Sequence, residues 1–196
     1  VLVDSGTAQE FDGTIDDYFR EYEMSSNAEL FESLCPYFGV LWPAGFELAR
    51  YVEEKSAEWR NKKVFELGCG LGVPSLVLAK KGVSVTASDF HPDVPAFLAA
   101  NEAHNGVKIP FVPLDWKSRG HSADIIVGSD LVYDHTQPQT LIDFLRGSVW
   151  AEVILTDPGR PYWDSFLALA KAEVNWRVEE FLLKGIFFVR ILNVST

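Results

Sequence analysis

At 196 residues the chain is long enough to bury one full hydrophobic core and short for two. Its formal charge of −11 sets it against the phosphate backbones of nucleic acids, no apolar run approaches the ~20 residues that a bilayer-crossing helix needs, and no signal-peptide core is present. We therefore expect a single domain over residues 1–196 with neither nucleic acid nor membrane as partner, while a leader preceding Val1, which is not a methionine, stays open.

Residues 1–60 differ in character from the rest of the chain, and are expected to form an N-terminal helical cap. Aromatic and acidic residues crowd positions 11–31, where Asp12, Asp16, Asp17, Glu21, Glu23 and Glu29 face Arg20 alone. Such a surface is either a solvated face or an attractor for a basic partner. Pro43 and Gly45 then lead into a helix expected over 46–59, with Phe46, Ala49, Tyr51 and Val52 turned inward.

From residue 61 onward, short β-branched runs alternate with amphipathic stretches. Strands are expected at 63–67, 83–88, 109–113, 124–128 and 152–156, and helices at 74–81, 94–105, 139–147 and 162–171. This alternation predicts an α/β fold with a doubly wound, mostly parallel sheet. Two final β-type runs, 177–183 and 185–194, meet at Lys184-Gly185 and predict an antiparallel hairpin. Residues 61–196 thus make the core that carries the chemistry.

The first strand ends in Glu66-Leu67-Gly68-Cys69-Gly70-Leu71-Gly72, an acid followed by three glycines at alternate positions. A dinucleotide fingerprint needs its third glycine at position 73, where Val73 stands, so NAD and FAD are disfavoured. Asp89 closes the second strand seventeen residues after Gly72, near the spacing of an acid that grips ribose hydroxyls. It is also placed to cap the helix after His91-Pro92. Trp116, beside Asp115 after the third strand, reads equally as ligand cover or as core. Ser129-Asp130-Leu131-Val132-Tyr133 follows the fourth strand, and Asp157-Pro158-Gly159-Arg160-Pro161 the fifth, as a rigid turn that either presents Arg160 as a functional residue or, equally, holds it in a structural ion pair with Asp157. His91, His104, His121 and His135 share no ligand spacing with one another or with Cys35 and Cys69, so no metal is expected. Both cysteines are expected as free thiols in a reducing, cytoplasmic setting. Neither Ser75 nor Ser129 lies in a nucleophile elbow.

The acid and glycine order of 66–72 resembles the first motif of the class I, seven-strand S-adenosylmethionine-dependent methyltransferases. Asp130-x-x-Tyr133 resembles the signature of the protein-lysine methyltransferases in that class, and Leu41-Trp42-Pro43-Ala44-Gly45 is similar to the element preceding their nucleotide domain. Asp157 to Pro161 further resembles the electron-transfer-flavoprotein β-subunit lysine methyltransferases. The resemblance covers about residues 41–134 and implies a Rossmann-like, seven-stranded sheet that binds S-adenosylmethionine. It implies cofactor contacts from Trp42, Glu66, Gly68, Cys69, Gly70, Gly72, Asp89, Asp115, Trp116 and Ser129. Asp130 and Tyr133 become the catalytic pair, the first orienting an amine and the second packing on the methylated cation; their competing roles are a loop-holding acid and a core ring. The acceptor is then a lysine of a protein substrate, or alternatively a small amine of the nicotinamide type. A module that binds the cofactor without turnover is the non-enzymatic alternative.

Overall fold

The computed structural model describes residues 37–118 and 120–194. The acidic stretch 11–31 and Cys35 lie outside them. A 3-10 turn at Tyr37–Gly39 precedes helix α1 (Pro43–Lys55). Strands and helices then alternate as β1 (Lys63–Leu67), α2 (Val73–Lys80), β2 (Ser84–Asp89), α3 (Val94–Asn105), β3 (Phe111–Pro113), β4 (Ile125–Ser129), α4 (Gln137–Arg146), β5 (Glu152–Asp157) and α5 (Trp163–Lys171). The hairpin of β6 (Trp176–Leu183) and β7 (Ile186–Asn193) follows.

All seven strands join one sheet in the order β3-β2-β1-β4-β5-β7-β6. β1 to β5 are parallel to their neighbours, and β7 is antiparallel to both β5 and β6. The winding reverses between β1 and β4, so the crevice of such a sheet opens beyond their carboxyl ends. Lys184 and Gly185 both take positive φ, 49° and 82°, as a two-residue hairpin turn requires.

Side chains alternate across a strand, and here that alternation decides which helix each functional group meets. Val64, Ile125, Val127 and Ile154 enter the core beneath α1, α2 and α3, together with Leu48, Leu76 and Leu98. Phe65, Leu67, Ile126, Val153 and Leu155 enter the opposite core with Leu141, Phe144 and Phe166 of α4 and α5. Glu66 shares the parity of Val64, Ser129 that of Val127, and Thr156 that of Ile154. All three therefore face the α1 and α2 side, at the strand ends where the crevice opens.

Some boundaries differ from expectation for identifiable reasons. Pro43 occupies the first turn of α1, so the helix begins three residues early, and it ends at Lys55. Its buried stripe runs through Ala44, Leu48, Ala49 and Val52, which leaves Phe46 47% exposed and not inward. Tyr51 is half-buried, its ring 5.4 Å from that of Phe188. The third strand shrinks to Phe111–Pro113, starting after Pro110, which lacks the N–H a ladder needs.

Candidate functional site

The bend after β1 is held by the protein on every side. Gly68, Gly70 and Gly72 all adopt positive φ, at 57°, 48° and 74°, a region that favours glycine. A Cβ on Gly68 would meet Leu131 at 2.7 Å, one on Gly70 the carbonyl oxygen of Phe38 at 2.8 Å, and one on Gly72 Leu98 at 2.5 Å. The glycines thus serve close packing of the bend against its own neighbours, and the peptide faces are what remain for a ligand. From α3, the buried amide of Asn101 donates to the Leu71 carbonyl at 3.1 Å.

Glu66 holds the start of α2. Its Oε2 accepts the Ser75 backbone N–H at 3.0 Å and the Ser75 hydroxyl. Burial pushes its carboxyl up to about 8, against the lowering pull of those two donors. Cys69 is buried in the same bend, and burial pushes its thiol well above the ordinary range, the mark of an unreactive sulfur.

Asp89 reaches back from the end of β2 to the bend. Its Oδ2 accepts the Gly70 N–H and its Oδ1 the His91 N–H, both at 3.0 Å. Burial holds its carboxyl above the usual range, opposed by the His91 and Gly70 donors. The Phe90 N–H is turned toward the carboxylate as well, and the acceptor capacity that remains can take an incoming hydroxyl. The acid therefore fixes the turn after β2 and stays chemically able to grip a diol, but it does not cap the next helix, where Asp93 stands at the N-cap of α3. Phe90, next to it, is an exposed ring at the same strand end. The indole edge of Trp116 lies 3.9 Å from where a Gly68 Cβ would stand, and the ring also packs on the α4 and α5 core. Asp115 is exposed, with Oδ1 accepting the Lys117 N–H at 2.9 Å.

The third group lies beyond β4 and β5. Asp130 has a φ of 56°, unusual for a residue with a side chain, and its N–H donates to the Thr156 carbonyl at 2.8 Å. Arg160 takes its carboxylate side-on, through Nε to Oδ1 and through the terminal guanidinium nitrogen to Oδ2 at 2.9 Å. The same guanidinium lies over Trp42, 5.4 Å from the ring centroid. The alternative of a local Asp157 to Arg160 ion pair is not what forms: Asp157 Oδ1 accepts the backbone N–H groups of Gly159 and Arg160, at 2.7 and 2.6 Å. Its Oδ2 is buried without a hydrogen-bond partner. Asp157 is held above the usual carboxylate range by burial.

Tyr133 is 51% exposed, which removes the core role considered for it. Its phenol is raised by partial burial, with a hydrogen bond to Gln137 opposing and the charges of Asp89, Asp134 and Asp130 adding to the rise. Trp42 is held at the crevice by its helix: the Thr156 hydroxyl donates to the Ala44 carbonyl at 3.0 Å, and Ser129 Oγ sits 3.2 Å from the position of a Gly45 Cβ. The structure brings together the glycine bend with Asp89, and Trp42 with Asp130 by way of Arg160. Sequence reasoning misses Ser75, Asn101 and Thr156; Asn101 alone carries a signal, a poor helix former inside an apolar helix.

The described residues contain no group of three His, Cys, Asp or Glu able to hold a metal ion, and no helix among them is long and apolar enough to cross a membrane. A cavity lined in part by Trp59, Asp124 and Glu152 lies at the amino ends of the strands, remote from this rim.

Comparison with known proteins agrees with the rim. The electron transfer flavoprotein beta subunit lysine methyltransferase of Rattus norvegicus is 32% identical over 141 residues, covering 68% of this chain and 55% of that protein. The protein N-terminal and lysine N-methyltransferase efm7 of Schizosaccharomyces pombe is 37% identical over 121 residues, covering 52% of this chain and 47% of its own. The chain thus spans about half the length of these curated relatives. Among solved structures, the magnesium protoporphyrin IX methyltransferase of Synechocystis PCC 6803 superposes with a TM-score of 0.64 at 15% identity, covering 98% of this chain and 99% of that one. A SAM dependent methyltransferase of Aquifex aeolicus gives 0.62 at 17%, covering 78% and 94%. These two share the fold. A family model described as lysine methyltransferase matches residues 30–157, a span that runs from before α1 to the last residue of β5, and the chain belongs to that family.

Proposed function

We propose that this protein transfers the methyl group of S-adenosylmethionine to the amine of a lysine on a protein substrate. The observation that carries the reading is the family match over 30–157, the span holding the glycine bend, Asp89, Asp130 and Tyr133 at one edge of the sheet. The donor set fits the cofactor: the bend offers peptide faces, and Asp89 keeps lone pairs for vicinal hydroxyls. Trp116 and Phe90 supply ring surface at the same rim, with Asp115 beside them as an acceptor. Trp42 and Ser129 border the crevice where it turns toward Asp130.

Bound there, the cofactor supplies an activated methyl group. The chain's own residues align the acceptor and exclude water, because an in-line displacement depends mainly on positioning. A lysine reaches the reaction as a neutral amine, since an ammonium has no lone pair, and a partly desolvated approach past Tyr133 favours that form. The Tyr133 ring then packs against the methylated cation. Asp130 orients the amine from the strand end.

The test is to incubate the protein with tritiated S-adenosylmethionine and cell lysate, with electron transfer flavoprotein beta subunit as the first purified acceptor because relatives bear that name. Label is expected in methyl-lysine after acid hydrolysis of the protein fraction. Label confined to small molecules would overturn the reading.

A further inference from the structure

Two carboxylates and one cation meet at the ends of β4 and β5. Asp130 directly follows β4 and Asp157 ends the adjacent β5, in a register that pairs Ser129 with Thr156. Asp157 spends one oxygen on backbone N–H groups, and Arg160 spends its side-chain fork on Asp130. The Asp130 side chain is 4% exposed and that of Arg160 32%. The pair therefore sits at the open rim, with the guanidinium on its outer side against Trp42. Its backbone is also committed to this geometry: Asp130 keeps a left-handed φ, pinned by its N–H to Thr156, a conformation that costs about 1 kcal/mol or more and persists where surroundings enforce it.

A bare carboxylate next to an amine stabilises the ammonium and so opposes the loss of the proton that methyl transfer needs. A carboxylate already bonded to a guanidinium presents no net charge, yet keeps lone pairs that can accept an N–H. We propose that Arg160 is a positioning residue of the transfer site, cancelling the charge of Asp130 so that the carboxylate orients the acceptor amine without keeping it protonated. This rests on the reading that the amine arrives beside Asp130 and Tyr133. A lysine at 160 supplies the charge but not the planar fork that fixes both carboxylate oxygens.

Other charges face this pair. Asp157 comes from β5, Tyr133 and Asp134 from the loop after β4, and Asp89 from β2 through its field on Tyr133. His135, its side chain 76% exposed, lies beside Asp134. From α1 the neighbour is Trp42, which is uncharged. Arg160 is the cation bonded to the Asp130 carboxylate.

The experiment measures initial rates of tritium transfer from S-adenosylmethionine into methyl-lysine of lysate protein between pH 6 and 10, a range set by about two units either side of neutral-to-basic amine titration. In the wild type the rate rises with pH as the amine loses its proton. Arg160→Gln moves that rising limb upward by about one pH unit, so its rate is roughly tenfold lower at neutral pH and recovers at high pH. Arg160→Lys keeps the limb and loses rate evenly. Asp130→Asn/Arg160→Gln, with both charges gone, brings the limb back toward the wild-type position. Cofactor affinity by calorimetry, unchanged in Arg160→Gln, shows that the variant is folded. Should Arg160→Gln fail to fold, the double variant's limb decides, and an upward shift there overturns the proposal. Superimposable normalised profiles for wild type and Arg160→Gln overturn it while leaving the lysine reading intact. A wild type that labels no lysine overturns that reading and this proposal together.

Discussion

Arg160 binds Asp130 through both oxygens of its carboxylate and so ties the loop after β5 to the loop after β4. The bond is a fork, and the backbone of Asp130 at φ 56° aims the acid at it. Asn tolerates a left-handed φ and keeps one acceptor oxygen, whereas Ala does neither. Asp130→Asn should therefore destabilise the protein by about 1 kcal/mol and Asp130→Ala by about 2–3 kcal/mol, the second including the loss of charge-assisted bonds and the backbone penalty. Urea midpoints compared at constant slope check the order. Equal midpoints for the two variants would mean that neither bond nor backbone matters here.

Gly70 and Gly82 separate backbone strain from collision. Both have positive φ, 48° and 76°. A Cβ on Gly82 meets nothing within 4 Å, but one on Gly70 would lie 2.8 Å from the Phe38 carbonyl oxygen. Gly82→Ala should cost about 1 kcal/mol, the ordinary penalty of a left-handed alanine. Gly70→Ala should cost clearly more and also weaken cofactor binding, since the bend must move away from Phe38 and from Asp89. Thermal melts with and without S-adenosylhomocysteine measure both effects, the ligand-dependent shift being small only in the Gly70 variant.

Glu66 makes stability fall as pH rises. Its carboxyl is raised by burial to about 8 in the folded chain, above the ~4.3 of an unfolded glutamate. Between those values the folded state holds a proton that the unfolded state has released, so unfolding free energy decreases with pH through that window. The contribution is fully present below about pH 4 and lost by the time pH passes about 8. Asp89 and Asp157, raised by burial as well, act in the same direction. Glu66→Gln keeps an acceptor for Ser75 and has no proton to lose. Urea unfolding at pH 5.5 and pH 8.5, values chosen to bracket roughly the middle of the window, should show a smaller drop for the variant than for the wild type. A larger or equal drop would place the wild-type carboxylate in a solvated setting.

The parallel sheet and the glycine bend are legible in the sequence because β-branched runs and glycine spacing are local properties. Membership of the family follows from the same stretch. The partners of the acids are not local. Asp157 and Arg160 stand three residues apart and look like an ion pair, yet Arg160 meets Asp130 thirty positions away, because the β4 to β5 register brings those loops side by side. Glu66 reads as a ligand contact, but its partner Ser75, nine positions away at the start of α2, is not legible in the sequence. Phe46 reads as an inward residue because it is aromatic, but the helix starts earlier than its glycine suggests, and the buried stripe falls on Ala44, Leu48 and Val52 instead.

Asp89 and Tyr133 should divide binding from transfer. Asp89 is bonded to the bend and to the turn after β2, and its free lone pairs are the ribose acceptors of the proposed function. Asp89→Asn keeps most of the local bonding but replaces one acceptor oxygen with a donor, and cofactor affinity by calorimetry should fall about tenfold or more. Tyr133 is half exposed, outside both cores. Tyr133→Ala should therefore leave the cofactor affinity within about twofold and the unfolding midpoint within the spread of ordinary surface changes, roughly 0.5 kcal/mol. Transfer to lysine should nevertheless drop by about tenfold, the worth of a partly desolvated cation on an aromatic face. Tyr133→Phe keeps the ring and should retain most of the rate, so a Phe variant as slow as the Ala variant would assign the effect to the hydroxyl and its bond to Gln137. An Ala variant as fast as the wild type would remove Tyr133 from the reaction.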